Sequence, residues 1–207
     1  MSQDGLPPPP PACLLRRDPS TQKGGTLVVD DVADLEAHRR RLSDPDGYRP
    51  CMCPRCAHAT LHVHDYRERG LREEPDPAAP AAVTVVRYRC IGCRAVWRIL
   101  PLFLARLLWR SWPVVEAATL GPAPAPAAPQ VPLRTVQRWR ARLATAAVLL
   151  VELLRDAGRA MVGDVAATAT REQLVLAYAA AHTLPLGQRL ARLAAVVHRL
   201  APGVRLM

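Results

Sequence analysis

Cys53-Pro54-Arg55-Cys56 and Cys90-Ile91-Gly92-Cys93 decide how this chain is read. Each run sets two thiols three positions apart, so that one tight turn aims both sulfurs at the same point. Two such turns supply four thiolates, the full tetrahedral shell of a structural zinc ion. Doubled pairs at this spacing favour metal over two redox pairs or four ordinary buried cysteines. Pro54 suits the first turn because its φ is fixed in advance. Cys51 lies two residues before Cys53, a poor spacing for joint chelation, and stays outside the site. His58, His62 and His64 have the right chemistry for zinc, but with four thiols at hand they are read as surface residues of a strand.

The 33 residues between the pairs, 57–89, exceed the usual interval for such a site. Pro75-Asp76-Pro77-Ala78-Ala79-Pro80-Ala81-Ala82 accounts for part of the excess, as an insertion at a hairpin tip. Its flanks, 60–67 and 83–89, are rich in β-branched residues and tyrosine and pair as strands. The thiol turns then close the base of that hairpin, giving a zinc ribbon over 48–101. Residues 95–100 follow as a closing strand, broken by Pro101, with Trp97 against the metal base.

Upstream, the Pro7–Pro11 run and Gly24-Gly25, with few large apolar side chains, mark a disordered tail over 1–28. A short helix is expected over 30–42, within a segment 29–47. Asp30 and Asp31 suit its start, and Arg39, Arg40 and Arg41 suit the negative end of its dipole. Asp44-Pro45-Asp46-Gly47 stops it. Downstream, Trp112-Pro113 opens a helix with proline in its first turn. A low-complexity Pro/Ala linker occupies 121–132.

From Leu133 one long helix is expected to run to Ala157, with Gly158 ending it. Val136, Trp139, Leu143, Ala147, Leu150 and Leu154 repeat on one face. Arg134, Arg138 and Arg142 recur at four-residue steps on another, with Gln137 alongside. Residues 102–157 thus form one helical segment, and 158–207 a second with helices over 172–183 and 186–200. In the last of these, Leu186, Leu190, Leu193, Val197 and Leu200 form the buried side, leaving Arg189, Arg192 and Arg199 outward. The fold class is α+β.

The net charge is +10 and the pI about 10.2, which favours a polyanionic partner. Lys23 is the only lysine, so the charge is almost all arginine, a bias that a GC-rich genome also imposes. Placement is more telling. From Val85 to Arg142 there are ten arginines and one acid, Glu116. Arginine forks match phosphate oxygens and the guanine edge in the major groove. The candidates for DNA contact are Arg87, Arg89, Arg94 and Arg98 on the ribbon and Arg134, Gln137, Arg138 and Arg142 on the helix. Trp139 falls on the apolar side and reads as core. The thiols argue for a reducing compartment. With no secretory signal or spanning helix in the sequence, a cytoplasmic protein without a membrane partner is expected.

Cys-Pro-x-Cys, then Val85-Val86-Arg87-Tyr88-Arg89-Cys90-x-x-Cys93, Leu100-Pro101-Leu102-Phe103-Leu104 and Val114-Val115-Glu116-Ala117 resemble a bacterial transposon-associated zinc ribbon. In such proteins the ribbon precedes a helix-turn-helix, as in the N-terminal parts of insertion-sequence transposases. Arg134-Thr135-Val136-Gln137-Arg138-Trp139 is similar to their recognition helix. The resemblance covers about residues 48 to 145. It implies one structural zinc ion, double-stranded DNA as partner, and a transposase or a second copy as a further one. Two departures stand out: Ala57 and Arg94 occupy places usually held by glycine, and the Pro/Ala linker falls where the middle helix belongs. No catalytic role is expected. Asp164 and Glu172 make no plausible two-metal site, a deaminase would need His-x-Glu ahead of its cysteines, and four thiolates leave no open position for water. No small-molecule substrate is therefore expected. The rival reading is a protein-interaction module that pairs through its C-terminal helices.

Overall fold

Runs of alternating apolar residues on either side of the thiol pairs generate the sheet that organises the molecule. In this computed structural model the described residues are 24–44, 46–72, 81–106, 108–121, 131–157, 165–166 and 168–207. The proline run, the tip of the hairpin insertion, the interior of the Pro/Ala linker, Gly158 and Asp164 lie outside them. The described residues form an α+β fold with a four-stranded mixed sheet and six helices. The strands are β1 (Gly24–Val29), β2 (Leu61–Gly70), β3 (Ala82–Cys90) and β4 (Val96–Pro101), in the order β1-β4-β3-β2. β2, β3 and β4 pair antiparallel, whereas β1 adds parallel to β4.

β1 corrects the expectation of a disordered tail reaching residue 28. The two glycines that read as flexible are what admits the strand. A Cβ on Gly24 would lie 1.9 Å from the Val96 carbonyl oxygen, and one on Gly25 would lie 2.9 Å from the Trp97 ring. Only a bare backbone can approach that closely. Pro101 is likewise the last residue of β4, not a break before its end.

On one face of the sheet Leu61, Val86, Tyr88, Cys90 and Ile99 are buried with Cys53, Val32 and Tyr48. Helix α1 (Leu35–Leu42) adds Ala37 and Leu42 to this core. It starts five residues later than the sequence suggested, because Asp34, not Asp30, caps it by accepting from the Ala37 N–H at 2.7 Å. A register shift between Val63 and Asp65 then re-aims β2. Leu61 and Val63 pair with the inward Cys90 and Tyr88, but Asp65 and Arg67 pair with Arg87 and Val85 on the opposite face. A bulge has this effect because it inserts one residue into a period of two.

The second core lies among helices α2 (Trp112–Leu120), α3 (Leu133–Leu143), α4 (Val148–Asp156), α5 (Arg171–Ala181) and α6 (Arg189–Leu200). The long helix expected over 133–157 is two helices. Thr145 turns its hydroxyl back onto the Arg142 carbonyl at 2.7 Å, a bond that competes with helix continuation. The break is then used in a small bridge: Ala147 N–H donates to Ala169 O at 2.8 Å, and Arg171 N–H donates to Thr145 O at 2.9 Å. α5 begins in a capping box between Thr170 and Gln173.

Two further expectations are corrected around α6. Leu186 is exposed and precedes the helix instead of joining its buried side, while Leu190, Leu193 and Val197 are buried as read. Of the arginines read as outward, Arg199 is exposed and Arg192 half-buried, and both tie to Asp30. Arg192 donates to the Asp30 carbonyl at 2.7 Å and Arg199 to the Asp30 carboxylate at 2.5 Å. Glu116, fully buried on α2, accepts from the Gly187 N–H at 2.7 Å and the Leu190 N–H at 3.0 Å. A carboxylate at the start of α6 answers both its unpaired amides and its dipole. Gly187 itself sits at φ +91°, where a side chain would be strained.

Candidate metal centre and basic faces

The two thiol turns are built alike. In the first, Ala57 N–H donates to Cys53 O at 2.8 Å and Cys53 N–H to His58 O at 2.8 Å. In the second, Arg94 N–H donates to Cys90 O at 3.0 Å and Cys90 N–H to Ala95 O at 2.9 Å. Ala57 and Arg94 both take left-handed backbone, at φ 58° and 59°. These are the positions where the resemblance leads one to expect glycine, and the turn geometry is kept without it.

The four sulfurs converge. Cys53 Sγ lies 3.6 Å from Cys93 Sγ, and Cys56 Sγ lies 3.5 Å from Cys90 Sγ. All four lie within 4.8 Å of one another. Disulfides would need a sulfur separation of about 2.0 Å. A tetrahedral ion bound at about 2.3 Å would set its sulfurs roughly 3.8 Å apart, which is what the cluster approaches. The donor set therefore fits a metal ion, with Cys53, Cys56, Cys90 and Cys93 as its holders. Cys51, His58, His62 and His64 are exposed and outside the cluster. The His58 ring instead accepts from the Thr60 N–H at 3.0 Å.

Electrostatics agree with the geometry. Burial works to raise the Cys53 pKa, but amides of Cys56 and Arg55, the Trp97 indole and Cys93 outweigh it and bring it down to about 7. The Trp97 Nε1–H is buried beside this cluster without a hydrogen-bond partner among the described residues. The burial of Cys93, together with the neighbouring sulfurs, pushes its thiol up to about 12, and burial likewise raises Cys90. Thiols packed this closely resist ionising together, and a cation at their centre relieves the conflict.

The opposite face of the sheet carries the arginines. One row across it, strand by strand, reads Thr26, Arg98, Arg87 and Asp65. Asp65 holds Arg87, with Arg87 Nε to its carboxylate at 2.5 Å, and Arg67 Nε also reaches it at 3.0 Å. The Arg87 hydrogen bond is the main reason that the Asp65 pKa falls to about 2. Arg89, Arg94 and Arg98 are exposed and enter no ion pair among the described residues. On α3, Arg134, Gln137, Arg138 and Arg142 are all exposed, while Trp139 and Leu143 are buried behind them.

A groove of about 380 Å³ opens beside the row, where the sheet meets the loop after β4. Arg67, Arg69, Arg98, Arg106 and Trp109 line it. The sequence reading missed Arg67, Arg69 and Trp109. Period-two alternation from Leu61 sends Arg67 and Arg69 to the core face, and only the bulge reverses them. None of the described helices is long and apolar enough to cross a membrane. Compared with known proteins, the chain matches no family model, no characterised protein and no solved structure.

Proposed function

We propose that this protein binds double-stranded DNA and that its four thiols hold one structural zinc ion. In this reading it serves a mobile element, as an accessory to or remnant of a transposase, and has no catalytic domain of its own. The association with a mobile element rests on the residue pattern of the thiol hairpin and of α3. The observation that carries DNA binding is the outer face of α3. Arg134, Gln137, Arg138 and Arg142 stand exposed, and among the described residues no hydrogen bond or ion pair occupies their side chains. Guanidinium and amide groups so presented are free to meet phosphates and base edges in a major groove. Zinc is the metal assigned because a closed four-thiolate shell is its usual structural site.

A titration of labelled genomic duplex fragments at several salt concentrations tests this. We expect Arg134→Ala with Arg138→Ala to weaken binding across sequences and to flatten the log–log salt slope by about 2. An affinity unaltered by the double substitution would remove α3 from the interface. The second reading, a module that pairs with itself or a partner, is favoured by exposed apolar residues on the helices. Leu133 is 71% exposed and Leu149 is 73% exposed. Such pairing would hardly respond to salt.

A further inference from the structure

The groove beside the arginine row does not belong to the α3 face, and its chemistry is specific. Arg69 spends one nitrogen on the carbonyls of Ala105 and Leu108, which fixes its guanidinium at the groove wall. Arg106 donates to the His198 ring at 2.7 Å and to Pro202 O at 3.0 Å, and so is positioned without a carboxylate. Arg98 has no partner among the described residues, and its charge adds to burial in lowering the Arg69 pKa to about 10. Three guanidinium groups thus converge, and among the described residues no carboxylate is bound to any of them. Glu68 is the one acid in the lining, and Asp65 is occupied by Arg87 and Arg67.

Trp109 stands at the rim, 59% exposed. Its ring rests near the Gly70 backbone, where a Cβ would make ordinary contact at 3.5 Å, and Arg72 lies over it at 5.9 Å. An exposed indole held beside clustered guanidinium groups is the pairing that takes a base on its face and phosphates alongside. The charge does not stop at the groove. From Arg98 it continues across the same sheet face to Arg89 and on to Arg94 at the second thiol turn. A single nucleotide would fill the groove and leave that track unused, so the fit is to a polymer.

We infer that this groove binds a segment of single-stranded nucleic acid, with phosphates on Arg69, Arg98 and Arg106 and a base stacked on Trp109. This rests on the proposed function in taking nucleic acid as the partner, but it assigns a different surface and a different strandedness.

The test uses full-length, metal-loaded protein and a labelled twelve-nucleotide single strand followed by anisotropy, with Trp109 fluorescence as a second readout. Trp109→Ala and Arg98→Glu are the variants, since both side chains are exposed and neither anchors a core. Binding should quench Trp109, Trp109→Ala should weaken it about fivefold or more, and Arg98→Glu should weaken it further and reduce the salt slope. Duplex binding that depends on Arg134 and Arg138 should survive Trp109→Ala. Single-strand affinity unchanged in the two variants, with unchanged melting temperatures, overturns the inference while leaving the α3 reading intact. A mononucleotide that competes at equal concentration overturns the assignment to a polymer. Absence of binding to single strand and duplex alike overturns both readings together.

Discussion

Ala57 and Arg94 hold a backbone conformation that a residue with a Cβ adopts at a cost on the order of 1 kcal/mol. Each follows a thiol pair and donates its amide back across the turn, so the conformation is required by the site. Glycine would relieve the strain, though its greater freedom in the unfolded chain offsets part of the gain. Ala57→Gly and Arg94→Gly should therefore each raise stability by about 0.5 kcal/mol, read as a higher urea midpoint in metal-loaded protein. A lower midpoint in both would mean that the turns are not strained as described. His38 is the other residue whose chemistry is fixed by its bonds. Nε2 lies 2.7 Å from the Thr84 carbonyl, which can only accept, so Nε2 carries a proton, and in the neutral ring Nδ1 accepts from the Tyr48 hydroxyl at 2.6 Å. The ring is neutral, and burial lowers its pKa from 6.5. His198 is held in the same way, donating to Thr26 O at 2.9 Å and accepting from Arg106, and its pKa is lowered chiefly by burial. For both, the unfolded chain takes up the proton first. Their contribution to stability is full above about pH 6.5 and is lost as pH falls through the depressed folded values. At saturating metal the urea midpoint should drop between pH 7.5 and 5.5, and by less in His38→Gln with His198→Gln. An equal drop in that double variant would assign the pH dependence elsewhere.

At the scale of elements, the hairpin is the part that a metal held by the four thiols would brace. Its two thiol turns meet at one end of β2 and β3, and the free energy of a metal bound there is free energy of folding. Chelation, or Cys53→Ser with Cys90→Ser, should accelerate amide exchange along β2, β3 and β4. Protection retained in those strands would show that the apolar face carries them alone. How much of this was legible in the sequence varied by element for physical reasons. The thiol pairs could be read because ligand spacing is local, and β3 because its buried Val86, Tyr88 and Cys90 alternate cleanly. β2 could be read as a strand, but not which way its arginines point, since a bulge leaves no mark on composition. The break in α3–α4 was hidden because the apolar period runs straight through it from Trp139 to Leu154. Only the bridge from Ala147 to Ala169, a pairing distant in sequence, reveals it. β1 was hidden for the opposite reason: Gly24 and Gly25 carry the signature of a flexible chain, and their use as a close-approach strand depends on Val96 and Trp97.

Across the whole molecule, β1 joins the sheet to the helices. It pairs with β4 on one side, while Val28 packs on the helical core and His198 reaches Thr26. Asp30, just past the strand, receives both Arg192 and Arg199 of α6. A side chain at Gly24 would meet the Val96 backbone, which cannot yield as a flexible side chain would. Gly24→Val should thus lower stability by about 2 kcal/mol or more and raise amide exchange in α6 as well as in β4. Exchange confined to β4 would show that the two halves are energetically separate.

The pairing of Thr26 with His198 spans 172 positions. During synthesis β1 leaves the ribosome before its neighbour β4, which follows only after about seventy more residues have been added. The helix that fastens β1 comes later still. For that interval the strand's amides and carbonyls have only water, or another nascent chain, to answer them. Contacts of such high order form slowly, and transiently open strand edges invite association. Slow translation of the segment after Pro101 would therefore favour a correctly closed sheet, whereas crowded ribosomes on one message would favour tangling through β1.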